Sequence, residues 1–138
     1  MSLSLFIHAA NIGFMLMFAV VVAPAVFKAS SQKAAASYLR VLFPRLFMFG
    51  FVTSSIAAIV SMFDNEHLIT VVSATTAFGF LFNALILTPK INKFRDRANS
   101  GNADAEKVFA RLHLLSVGIF GSQFFASLYL IISQAYFT

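Results

Sequence analysis

A chain of 138 residues in which 59% are hydrophobic and 11% charged, with a mean hydropathy of +0.85, does not have the composition of a soluble domain, in which about a quarter of residues are charged. Its size fits a single domain, and the absence of cysteine excludes disulfides and thiolate metal sites and leaves the redox compartment unread. The net charge of +5 does not indicate nucleic acid, because all ten Lys and Arg fall in two short blocks, 28–45 and 90–111, flanked by apolar runs long enough to cross a bilayer.

The expected fold is all-α: a polytopic four-transmembrane-helix bundle with short interfacial helices on the cytoplasmic side. The first span runs from about Leu5 to Phe27. Small residues near its end, Ala23-Pro24-Ala25, imitate a signal cleavage site. There is no basic segment before it and Lys28 follows directly, so an uncleaved helix with its N-terminus outside is expected.

Ser30 or Ser31 then caps a short helix reaching Arg40, and Pro44 bends the chain into the second span, Leu46 to Phe63. Gly50, Ser54 and Ala58 supply small residues at four-residue spacing for close helix contact. Asp64-Asn65-Glu66-His67 forms a short outer loop before the third span, Leu68 to Leu87.

At Pro89 the third span leaves the hydrocarbon. The segment Lys90 to Arg97 alternates Ile91 and Phe94 with cations and suits a helix on the membrane surface. Asn99-Ser100-Gly101-Asn102 is a turn, and Asp104 and Glu106 sit where the dipole of the fourth helix favours carboxylates. The fourth span, Leu112 to Ile132, carries a second small-residue stripe, Gly118, Ser122 and Ala126. Both basic blocks thus fall on one side, which the positive-inside rule makes the cytoplasm of a bacterial inner membrane, with both termini outside. Tyr38, Tyr129 and Tyr136 are the residues suited to the headgroup region, since tryptophan is absent.

No nucleophile and base, phosphate loop or dinucleotide motif is evident, so an enzyme is not the expected reading. His8 in the first span could converge with His67, Asp64 and Glu66 at the outer mouth to bind a divalent cation, although the spacing matches no specific metal motif. An interfacial histidine beside a solvated acidic loop is the other reading. His113 opens the fourth span on the basic side, so across a core of about 30 Å it cannot share a metal or haem with His8. Single-histidine ligation stays open. With Arg45, Arg40, Lys90 and Arg111, His113 could hold a phosphate or carboxylate, or Arg45 could snorkel to the interface. Lys93 and Arg95 join the cations that grip anionic lipid headgroups. Gln123 needs a partner, either another helix or a ligand. Eighteen phenylalanines either face lipid and fill the bundle or line a cavity for a flat hydrophobic ligand.

The segments Ala23-Pro24-Ala25-Val26-Phe27-Lys28, Leu42-Phe43-Pro44-Arg45-Leu46-Phe47, Leu87-Thr88-Pro89-Lys90-Ile91-Asn92 and Phe109-Ala110-Arg111-Leu112-His113 resemble, in this order, the small bacterial membrane proteins related to eukaryotic transmembrane protein 205. The resemblance implies a four-helix membrane bundle with a link to metals or metallo-tetrapyrroles such as haem, with Pro44, Arg45, Pro89, Asn92 and His113 at the recurring positions. Unlike haem-handling bundles of similar layout, the chain has no pair of histidines at one depth. Three functions are therefore expected to compete: handling of a metal ion or tetrapyrrole, a non-catalytic subunit of a larger membrane complex or homo-oligomer, and transport of small anionic amphiphiles.

Overall fold

A computed structural model describes residues 2–136; Met1, Phe137 and Thr138, the ends of the expected outer segments, lie outside the described residues. Four helices, Leu3–Ala29, Gln32–Phe63, His67–Asn99 and Ala103–Tyr136, are each long and apolar enough to cross a membrane. They run up and down as a ring in which the first helix packs against the second and fourth, and the third packs against the same two. The second and third form the most extensive pair, joined by a tight turn in which Asn65 takes φ 58°. Asparagine tolerates that left-handed conformation better than most residues.

The side chains are sorted for lipid. Ser4, His8, Asn11, Ser54, Ser61, Ser73, Thr76, Asn83, Ser116, Gln123 and Ser127 are all buried, while Leu3, Val20, Ile59, Val71, Leu114 and Phe125 point outward. Hydrocarbon offers no hydrogen bonds, so polar side chains gather on the axis and bond to one another. Thr70 Oγ1 donates to Ser61 Oγ at 3.0 Å, Asn11 Nδ2 to Ser54 Oγ at 3.1 Å, and Thr53 Oγ1 to Asn11 Oδ1 at 2.8 Å. Closer to the basic end the axis turns apolar: Met15, Phe47, Phe80 and Ala84 form a cluster against which Phe14, Phe43, Phe120 and Phe124 pack.

Prolines shape the basic end. Pro24 and Pro89 each follow, at the second residue, a π-helical segment, Met17–Val22 and Asn83–Leu87 respectively. A proline lacks an N–H and its ring collides with the carbonyl four residues back, and one wide turn relieves both problems. Thr88 Oγ1 donates to Asn83 O at 2.8 Å within the second of these turns. Around Pro44 the expected separate short helix is absent. Pro44 lies inside an unbroken helix, Gln32–Phe63, so the segment around Tyr38 is an extension of the second span. Likewise Thr88–Asn99 is helical and continues the third span.

One of the two small-residue stripes is corrected. Gly50 and Ser54 face the bundle, but Gly118 and Ser122 are exposed on the outer face of the fourth helix. The buried residues of that helix are instead Ser116, Gln123, Ser127 and Leu130.

Candidate functional site

At the basic end of the bundle lies a cavity of about 200 Å³. Its interior is aromatic, with Phe18 from the first π-helical segment, Phe43 and Phe47 from the second helix, and Phe120 from the fourth. Thr88, Ile91, Asn92 and Arg95 enter from the extension of the third helix at spacings of three, one and three, which places them on one helical face. Arg40, Arg95 and His113 supply cationic or ionisable groups to the lining.

These three are held by specific contacts. The Arg40 guanidinium forks onto Asp96, Nη2 donating to Oδ1 at 2.6 Å and Nη1 to Oδ2 at 3.2 Å. The Arg95 guanidinium lies 5.0 Å from the centroid of the Phe109 ring. Phe109 in turn stacks on His113, centroids 5.9 Å apart and planes inclined by 13°.

The expected anion-binding group is thus assembled in part. Arg40, Arg95 and His113 share the cavity, whereas Arg45, Lys90 and Lys93 are exposed outside it. Arg111 lines a separate shallow groove with Leu114, Gly118 and Ser122. Gln123 is not brought to His113. It is buried between the third and fourth helices, where Nε2 donates to Thr76 O at 2.8 Å and Oε1 has no hydrogen-bond partner.

The expected outer metal group does not assemble. His8 is fully buried, its Nδ1 2.9 Å from Ser127 Oγ and its Nε2 2.8 Å from Ser73 Oγ, so it joins three helices at the core. Glu66 accepts from Ser4 Oγ at 3.0 Å, while Asp64 and His67 are exposed. Among the described residues no group of three or more His, Asp or Glu side chains is placed to hold a metal ion. His8 is bonded to Ser127, fourteen residues beyond His113 on the same helix, a separation of about 21 Å at 1.5 Å per residue. The residues as arranged do not fit a bis-histidine haem or a multidentate metal centre.

Asn92 and the four cavity phenylalanines are the residues that spacing alone did not assign to a site. The repeat Thr88, Ile91, Asn92, Arg95 carried the signal, because a run that mixes apolar, amide and cationic residues on one helical face is suited to a cavity wall as well as to a lipid surface.

A polar-cored bundle of four apolar helices, with a cation-rimmed aromatic cavity at one end, defines a small helical membrane protein. The chain belongs to the family described as Domain of unknown function (DUF4149), whose model matches residues 6–100. The matched segment runs from Phe6 in the first helix through the end of the third, and His113, Ser116 and Phe120 of the cavity lie beyond it. No curated protein and no solved structure matches the chain.

Proposed function

We propose that the protein binds a single-chain anionic amphiphile drawn from the cytoplasmic leaflet of the bacterial inner membrane. The observation that carries this reading is that Arg40, Arg95 and His113 line the same cavity as Phe18, Phe43, Phe47 and Phe120. A carboxylate or phosphate suits the guanidinium and imidazole donors, and a hydrocarbon chain suits the rings. The volume supports one chain rather than a macrocycle, since pockets for drug-sized ligands run from about 300 Å³ upward. The positive-inside rule supports a cytoplasmic position for the basic end, with both termini outside.

The resemblance to proteins related to transmembrane protein 205 brings a metal or tetrapyrrole to mind as cargo. The amphiphile reading ranks above it because the donors for a metal are dispersed while those for an anion converge. A place in a larger membrane complex is compatible with either cargo.

The test is photocrosslinking in nanodiscs of zwitterionic lipid, with a hexadecanoate carrying a diazirine near the chain end. Adducts concentrated on the segments around Phe18, Phe43 and Phe120, reduced about tenfold by Arg95→Gln, support the reading. Acetate, which has the headgroup and no chain, does not compete. Adducts spread evenly over the lipid-facing residues, unaltered in Arg95→Gln, would falsify it.

A further inference from the structure

A carboxylate stands just outside the cavity mouth, bonded to one of its cations. Asp96 does not line the cavity, but it takes both Nη atoms of Arg40, which does. A bidentate fork to a carboxylate uses the donor edge that would otherwise grip the oxygens of a bound headgroup. Arg95 lies beside this pair and forms no ion pair with Asp96; its guanidinium rests on Phe109. The formal charge of Arg40, Asp96 and Arg95 together is one positive unit. Lys90, Lys93 and Arg97 are exposed on the surface, where water and salt screen them, and Asp96 is exposed as well, so what sets Asp96 apart from them is its direct fork to Arg40, a residue of the cavity wall.

We infer that Asp96 sets the headgroup charge this cavity accepts, so that with Arg40 neutralised the site is matched to a monoanion through Arg95 and disfavours a dianion. The inference rests on the amphiphile-binding reading and adds to it a substrate class: fatty carboxylates and phosphodiesters in preference to phosphate monoesters. A dianion places a second negative charge beside Asp96 with no free guanidinium to meet it. In Asp96→Asn the Arg40 fork is released from its carboxylate, and the local charge rises to two positive units, which a phosphate monoester can use fully.

Three competitors of equal chain length separate charge from headgroup atoms: hexadecanoate, hexadecyl methyl phosphate and hexadecyl phosphate. They are tested against the crosslinking probe in the same nanodiscs at about pH 8, where the phosphate monoester is doubly ionised and an ordinary imidazole is neutral. In the native protein the two monoanions compete within about threefold of each other and the dianion about tenfold more weakly. Asp96→Asn strengthens the dianion by about tenfold and moves the monoanions by less than about threefold, while Asp96→Glu keeps the native ranking. Equal competition by all three in the native protein, or a common shift of all three in Asp96→Asn, overturns the charge-matching role and leaves the binding site standing. Failure of every competitor in both proteins removes the binding reading itself, and this inference with it.

Discussion

Gly50 lies so close beneath the ring of Phe80 that a Cβ added to it would stand 2.7 Å from Cε1 and Cζ. Phe80 is fully buried and meets Phe14, Phe47 and Phe120 at centroid distances of 6.1, 6.5 and 6.3 Å, so the ring has no free direction in which to retreat. Gly50→Ala is therefore expected to cost about 1–3 kcal/mol, read from reversible unfolding in mixed detergent. Adding Phe80→Leu, which shortens the obstacle, should make the double variant more stable than the sum of the two single losses implies. Gly79→Ala offers the contrast. Its new Cβ would meet Gln123 Nε2 at 2.6 Å, the end of a flexible side chain. Swinging that amide away forfeits one bond to Thr76 O, worth about 0.6 kcal/mol in a membrane bundle.

His8 is expected to act as a structural joint. Removing either serine partner, by Ser73→Ala or Ser127→Ala, should cost about 0.6 kcal/mol each. His8→Ala should exceed their sum, at about 2–3 kcal/mol, because it opens a void as well as breaking both bonds. Binding of an amphiphile at the basic end should be unchanged in all three variants. A selective loss of binding in His8→Ala at full stability would place the histidine in the functional machinery.

Gln123 presents the reverse case. Its Nε2 is bonded and its buried Oε1 is not, and an unsatisfied buried acceptor is a standing cost. Gln123→Met removes the donor and the orphan acceptor together and should leave stability within about 1 kcal/mol of the native protein. A larger loss, measured in native membranes and absent in detergent, would mean that the amide meets a partner molecule there.

Because the chain has no cysteine, single thiols report orientation directly. Asp64→Cys, in the turn between the second and third helices, should react with a membrane-impermeant maleimide in intact cells. Ser100→Cys, in the turn before the fourth helix, should react only after the inner membrane is opened. The opposite pattern would invert the proposed topology.

The four spans and the gathering of basic residues at one end were legible in the sequence because run length and charge are one-dimensional signals. The azimuth of each helix was harder to read. In water a hydrophobic stripe marks the core, but in lipid both faces are apolar, so Gly118, Ser122 and Ala126 look like a packing stripe although Gly118 and Ser122 are exposed. The more informative pattern is polar: Ser4, His8 and Asn11 recur at spacings of four and three, and all are buried. That periodicity places His8 on the bundle axis and not at the outer mouth. Arg45 and Arg40 differ by five residues, about 140° apart around the helix, which is why one is exposed outside the cavity and the other lines it. Pro44 did not mark a helix boundary, because the helix Gln32–Phe63 continues through it, so the short helix expected before it is part of the second span.

The aromatic and methionine cluster of Met15, Phe47 and Phe80 sits between the cavity and the hydrogen-bonded layer around His8. It acts as a floor. A chain that entered the cavity would meet the packed rings of Phe47 and Phe80 across the axis, so its way out would be the leaflet from which it came. If the proposed amphiphile binds there, its exchange would be lateral, with residence time set by release of the headgroup.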